Sequence, residues 1–371
     1  MTSSFRSWKF SFSSFFLKST PFSSFSDFSI KQTISEIWAK PTFRDLFSDD
    51  SVSKRNEKEP SDKWRFLLPI QYSYHSPQYP IVLCHGLGFF EKVPSSLPTF
   101  QLHYWGSIFE SLKKLGCQVY VTKVPSTGTI AQRAKELSKQ LSSMVKGKRV
   151  NLVAHSMGGL DCRYLLSKHL YTNFYPVSLT TLSCPHRGSP FMDWCRDYLG
   201  LGRVFPHTTG TVRKQDTEEQ KTPVLKDSHK KDENNSSISS TILTSIMFSQ
   251  TMDTPAYANL TTTYLKESFN PFILDSLGVK YYSFAAVTPP VPIWHPLYLP
   301  NYVVSQAEGI HNDGLVSVES ATWGKLLGVL DCDHWELRGR RVGVGAGFSK
   351  RNFDVDDFYC ALATHLWNEN F

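Results

Sequence analysis

Residues 149–166 read RVNLVAHSMGGLDCRYLL. Arg149–Ala154 is a short apolar run that reads as a buried strand, and Met157–His169 returns apolar residues at helical spacing. Ser156 stands at the junction, in Ala154-His155-Ser156-Met157-Gly158-Gly159. A strand-to-helix turn this tight forces its central serine into strained backbone and leaves Oγ exposed, the context of a nucleophile elbow. Strand and helix approach closely there, so the side chains two before and two after the serine must be small. Gly158 meets this at one position. Ala154 takes the place of the usual glycine at the other.

The same rhythm extends on both sides. Tyr79–Cys84 (YPIVLC) reads as a strand ending at His85-Gly86. Tyr104–Leu115 carries apolar residues at 105, 108, 109, 112 and 115, a helical spacing closed by Gly116. Cys117–Val124 reads as a strand closed by Pro125. Thr129 caps a helix with apolar residues at 130, 134, 137, 141 and 144/145. Leu179–Ser183 and Val279–Ala286 read as later strands, and Asp354–Trp367 as a closing amphipathic helix. Strands alternating with helices predict an α/β fold, a mostly parallel sheet covered by helices on both faces.

Two stretches break the pattern. Phe191–Phe205 and Ile238–Asp275 have helix-like apolar patterns and are expected to form a helical lid or cap over about 191–275. Inside it, 207–237 is expected to be a disordered surface insertion. Its heart, Thr211–Ser236, holds six basic and six acidic residues and no aromatic, too little apolar surface to fold. Tyr281–Ala307 contains no Asp, Glu, Lys or Arg and five prolines (289, 290, 292, 296, 300). The prolines predict a strand followed by a buried, irregular loop rather than a continuous helix. The sharper alternative is an apolar rim that touches lipid.

Composition bounds the rest. The 371 residues carry 40 Lys+Arg against 33 Asp+Glu, a net charge of +7, and 40% are hydrophobic. That excludes a wholly disordered or collagen-like chain. Lys and Arg never run longer than two, so no nucleic-acid partner is expected. Eight of the 26 phenylalanines fall in the first 28 residues, among serines, and the first acid is Asp27. Residues 1–45 therefore read as a mitochondrial transit peptide, 46–76 as a polar linker, and 77–371 as one large domain. The seven cysteines are scattered and form no C-x-x-C pair, which points to a reducing compartment. No window approaches about 18 consecutive apolar residues, so no transmembrane helix is expected.

A serine nucleophile needs a base, an acid to orient that base, and donors for the developing oxyanion. The N–H after the nucleophile, on Met157, supplies one donor. The loop His85-Gly86-Leu87-Gly88 supplies the other, assigned to Leu87. His85 is expected to hold that loop by hydrogen bonding. On this fold the order is serine, acid, histidine. His334, on the loop Asp331-Cys332-Asp333-His334-Trp335 after the apolar run Leu326–Leu330, is the expected base, with His311 its rival. Asp313, in the turn Asn312-Asp313-Gly314 taken to follow a strand, is the expected acid.

At these residues the chain resembles the α/β-hydrolase lipase family, both its bacterial Pseudomonas/Burkholderia type and, more closely, its yeast mitochondrial triacylglycerol lipase branch. The matching pieces are PIVLCHGLG (80–88), YWGSI (104–108), VNLVAHSMGGLDCRYL (150–165), LTTLSCPHRGSP (179–190), YYSFAA (281–286), NDGLVSVESATWG (312–324) and DHWE (333–336). The resemblance implies an α/β-hydrolase fold with a mobile helical lid. It implies hydrolysis of acyl esters of triacylglycerol or related lipids by Ser156, Asp313 and His334, with phospholipase or lysophospholipase activity, or an inactive lipid-binding scaffold, as alternatives. It implies an acyl-lipid substrate and peripheral contact with a membrane or lipid-droplet surface. Bacterial members carry a structural calcium with a carboxylate two residues after the catalytic histidine. Glu336 fits that place and is the calcium candidate, but its expected partner has no match in 287–304. No cofactor is therefore expected.

Overall fold

The structure, a computed structural model, describes residues 73–87, 99–202, 254–289, 291–339 and 353–371, with backbone alone for 99–103. The transit-type segment 1–45, nearly all of the linker 46–76 and the charged insertion 207–237 lie outside the described residues.

Among the described residues, six parallel strands form one sheet, in the order β2-β1-β3-β4-β5-β6. They are β1 (Ile81–Cys84), β2 (Val119–Val121), β3 (Arg149–His155), β4 (Tyr175–Leu182), β5 (Lys280–Ala286) and β6 (Lys325–Leu330). The central strands are buried nearly throughout, with five of the seven β5 residues out of solvent. That burial on both faces explains their near-continuous apolar sequence. β4 begins earlier than its sequence suggests and includes Pro176. Proline gives no N–H to a ladder, and the β3–β4 register slips there, from Val150 opposite Pro176 to Asn151 opposite Ser178.

Helices cover both faces. One layer rests on α1 (Thr99–Lys114) and the closing helix α8 (Val355–Asn368), which enclose Trp105, Ile108, Leu112, Phe358 and Leu362 with Ile81 and Leu83 of β1. The other rests on α2 (Ile130–Met144) and α3 (Gly158–Ser167), enclosing Leu137, Leu141, Leu165 and Leu166 with Val82, Leu152 and Leu179. α2 starts at a complete capping box. Thr129 accepts from the Gln132 N–H while the Gln132 side chain accepts from the Thr129 N–H, a motif whose cap alone contributes about 1 kcal/mol. At α8, Asp354 accepts from the Asp356 and Asp357 N–H groups.

Within the stretch expected to form the cap, the described parts carry shorter helices than the periodicity suggests. Pro190–Trp194 (α4) continues through a π-helical turn, Cys195–Leu199, and Pro255–Asn259 (α5) is followed by a second π-helical turn, Tyr264–Phe269. Tyr257, Leu260, Tyr264, Leu265 and Phe269 pack with Met192 against Met157 and Leu160, the residues just after the elbow.

The proline-rich stretch departs from expectation. The described residues of 287–297 carry no regular element apart from turns, but Tyr298–Glu308 is an 11-residue helix, α6, and Val318–Ala321 a short one, α7. Pro300 is its third residue, where the missing N–H would have no intrahelical acceptor in any case. The other four prolines precede the helix. The stretch is also more buried than an open rim, with Leu297 and Val304 out of solvent and Trp294 exposed.

Candidate active site

The elbow forms at the end of β3. Ser156 has φ of +55°, a left-handed conformation that costs a non-glycine residue about 1–3 kcal/mol. The strand and the first turn of α3 on either side over-determine it. The Ser156 N–H donates to Leu182 O on β4 at 2.9 Å. The close approach assumed from the sequence is real. A Cβ added at Gly158 would lie 2.7 Å from His85 O, and one at Gly86 would lie 2.7 Å from Ser156 Cβ and 2.9 Å from His155 O. Ala154 sits in β3 with no exposed surface, its methyl group tolerated.

Three residues separated by up to 178 positions meet here. His334 Nε2 lies 3.0 Å from Ser156 Oγ, and His334 Nδ1 lies 2.7 Å from Asp313 Oδ2. A carboxylate only accepts, so Nδ1 carries the proton donated to Asp313, and Nε2 is the atom that faces the serine hydroxyl. Asp313 is fully buried. Its other oxygen accepts from the Leu315 and Val316 N–H groups at 2.9 and 2.8 Å, and the His334 N–H donates to Asp313 O at 3.0 Å. Main-chain bonds thus fix both the acid and the ring it orients.

Asp313 follows α6, not a strand as the sequence reading assumed, because the helix intervenes after β5. Asn312 pins the acid loop to that helix. Its side-chain oxygen accepts from Asn301 and from the Gly314 N–H, and its amide donates to Ser305 Oγ and Gly309 O. His311, the rival base, is on the same loop with its Nε2 buried and unpaired. His334 is the histidine whose ring spans serine and carboxylate.

Met157 precedes α3 and is completely buried. The first N–H groups of a helix have no intrahelical acceptor, which suits them to an anion. Leu87 follows Gly86, the residue pressed against Ser156. The Gly86 carbonyl is held from the opposite side by His85 Nδ1 at 2.8 Å and by Arg133 at 3.3 Å. In a trans peptide the following N–H points opposite to that carbonyl, so the Leu87 N–H is turned away from Arg133.

His85 serves the loop, as expected. Nδ1 faces the Gly86 carbonyl and Nε2 accepts from the Val124 N–H at 3.0 Å. This requires the neutral ring. Burial, with Arg133 adding to it, pushes the His85 pKa down to about 3. His186 is likewise buried, beside Arg163 and stacked on Trp323, and burial holds it well below the usual histidine range.

Glu336, the calcium candidate, lies in the turn that carries His334. Its carboxylate accepts from the Asp333 N–H, while Asp333 accepts from the Trp335 and Glu336 N–H groups. This reciprocal cap shapes the turn that presents His334. Among the described residues no three His, Cys, Asp or Glu side chains gather as metal ligands.

The sequence reading missed the buried polar groups that hold the loops: Tyr104, Arg133, His155 and Asp161. Arg133 offers the one available signal, a cation set in the apolar stripe Ile130, Ala134, Leu137 of α2.

No family model matches the chain. The chain is 28% identical over 369 residues to triacylglycerol lipase 2 of Saccharomyces cerevisiae, covering 85% of this chain and all of that one. It is 34% identical over 137 residues to a triacylglycerol lipase of Vibrio cholerae, 36% of this chain and 41% of that one. A Pseudomonas fragi triacylglycerol lipase is 32% identical over 132 residues, 34% of this chain and 41% of that one. Among solved structures, a metagenomic carboxyl esterase superposes with a TM-score of 0.53 at 16% identity, covering 85% of this chain and 82% of that one.

Proposed function

We propose that this chain, an α/β-hydrolase related to the triacylglycerol lipases and a carboxylic ester hydrolase, cleaves acyl esters of triacylglycerol or related lipids through an acyl-enzyme formed on Ser156. The observation that carries the reading is the continuous line Ser156 Oγ–His334 Nε2–His334 Nδ1–Asp313 Oδ2, at 3.0 and 2.7 Å.

In this reading His334 Nε2 takes the proton of Ser156 Oγ as the hydroxyl attacks the ester carbonyl. The carbonyl oxygen gains negative charge and is received by the Met157 and Leu87 N–H groups. Asp313 stays ionised, keeps the ring in its Nδ1–H form and stabilises the imidazolium. His334 then returns the proton to the departing alcohol oxygen. Water repeats the sequence on the acyl-serine, releasing the fatty acid and restoring Ser156.

Lipid substrate, rather than a small soluble ester, is supported by the relatives named triacylglycerol lipase. Peripheral contact with a membrane or lipid-droplet surface belongs to the same proposal, as does mitochondrial import through residues 1–45. Fusing 1–45 to a fluorescent protein tests the last point. A cytosolic distribution overturns it.

The central test is hydrolysis of a panel of triacylglycerols, phospholipids and short esters by the purified protein beside its Ser156→Ala variant. Activity on acylglycerols, abolished in the variant, is expected. Parent and variant that behave alike on every ester would refute the reading. Preferential phospholipid cleavage would move the substrate class.

A further inference from the structure

The elbow residue before the nucleophile is a histidine with no exposed surface to speak of, and the reaction described above does not use it. His155 Nε2 lies 3.0 Å from His334 O, and its Nδ1 lies 2.7 Å from the Tyr104 hydroxyl. That hydroxyl in turn accepts from the Gly86 N–H at 3.0 Å. One proton arrangement satisfies all three contacts. A carbonyl only accepts, so Nε2 carries the ring proton. Nδ1 is then a bare acceptor, and the Tyr104 O–H donates to it. The Tyr104 oxygen keeps a lone pair for the Gly86 N–H.

The chain of bonds begins on the loop that follows β1, passes through α1 and the end of β3, and ends on the loop of the base. We propose that Tyr104 and His155 are positioning residues, a buried relay that holds the oxyanion loop at 86–87 and the His334 loop in mutual register around Ser156. The proposal rests on the ester-hydrolase reading of the site.

The relay is built from neutral groups, and its surroundings keep it so. Burial holds His155 well below the usual histidine range, with His334 and Arg338 adding to the effect. The Arg338 guanidinium lies 4.7 Å from the Tyr104 ring centre. Charging His155 would place a second N–H against the Tyr104 hydroxyl. That hydroxyl could then no longer donate to the ring and would have to accept from both sides.

A purely packing role for these side chains makes a different demand. Tyr104→Phe keeps the ring, with its contacts to Trp105 and Arg338, and removes the hydroxyl alone. A misplacement of about 1 Å in a catalytic constellation costs up to about 100-fold. Tyr104→Phe should therefore lower kcat about 10- to 100-fold, with KM on a short ester within about threefold and an unchanged near-ultraviolet circular dichroism spectrum.

His155→Leu should do the same, and the double variant should lose no more than the worse single one, because either change breaks the same chain of bonds. His155→Gln, which retains a donor and an acceptor, should recover part of kcat. A Tyr104→Phe kcat within about twofold of the parent, or losses that multiply in the double variant, overturns the relay. So does a loss of kcat matched by loss of folded protein.

A second measurement is independent of activity. Ring-nitrogen NMR of histidine-labelled full-length protein, with the His155 signal identified by its loss in His155→Gln, should show the neutral Nε2–H tautomer. An Nδ1–H or doubly protonated ring refutes the relay whatever the enzyme cleaves. If the parent cleaves no ester, the functional reading fails, and the tautomer still decides whether the relay exists.

Discussion

The Arg133 guanidinium meets the Asp161 carboxylate at 2.7 Å with both side chains out of water. The same guanidinium donates to Pro125 O at 2.8 Å and to His85 O at 2.9 Å. One cation on α2, anchored to the first turn of α3, thus grips the loop before its own helix and the loop that follows β1. Its place beside the elbow links helix packing to the orientation of the Leu87 N–H.

Removing the cation leaves the Asp161 carboxylate buried and unpaired, a change that costs about 3–5 kcal/mol. Arg133→Met should therefore lower the unfolding free energy by that order in urea denaturation. It should also lower kcat, since two loop carbonyls lose their donor. A variant of parental stability would show that the pair adds nothing net.

Asp161 also gives stability a pH dependence. Burial raises its pKa from 3.8 to about 6, against the opposing pull of Arg133. Between those values the folded chain keeps the proton and the unfolded chain has lost it. Its contribution is thus fully present below about pH 4 and is lost as pH rises through about 6. Asp161→Asn mimics the neutral carboxyl. The parent should lose stability relative to this variant between about pH 4 and pH 6, then hold a constant difference. A difference that does not vary across that window contradicts the assignment.

Gly86→Ala tests the clearance around the nucleophile. The new methyl would lie 2.7 Å from Ser156 Cβ and 2.9 Å from a backbone oxygen, and neither atom belongs to a flexible side-chain end. The loop must shift, and with it the Leu87 N–H. Loss of one oxyanion donor costs about 100- to 1,000-fold in kcat, so a drop of at least about tenfold is expected in steady-state assays. Full activity would remove Leu87 from the oxyanion site.

Asp313→Asn keeps the shape of the acid and removes its charge. The amide can offer an N–H to His334 Nδ1, which favours the wrong tautomer and leaves Nε2 unable to accept from Ser156. By analogy with the serine–histidine–aspartate template, kcat should fall by about 10,000-fold. Measured kcat/KM within about tenfold of the parent would indicate another acid.

All seven cysteines are free, and six are buried. Burial pushes Cys195 up to about 12 and Cys360 up to about 11. The thiolate is the reactive form, so native protein should react slowly with iodoacetamide near neutral pH. All seven thiols should titrate after denaturation. A native thiol alkylated as fast as free cysteine would contradict the burial.

The alternation of buried strands and amphipathic helices was legible because both signals are local. A six-stranded parallel sheet buries its strands on two faces, and the covering helices repeat at 3.6 residues. Ser156 was legible for the same reason, since the elbow is a short motif whose small neighbours answer a local steric demand. The helix α6 was hidden because the density of prolines outweighed their positions. Four of them precede the helix, and Pro300 sits in its first turn, where proline is tolerated.

Chain order narrowed the acid and base to Asp313 and His334, but only the tertiary structure brought Asp313 to 2.7 Å from the His334 ring and that ring to 3.0 Å from Ser156. It alone revealed the polar scaffold of Arg133, Asp161, Tyr104 and His155. A buried polar residue leaves no periodic trace. Its partners lie 8 to 179 positions away, and the need to satisfy each hydrogen bond out of water is met only after the sheet and helices have packed.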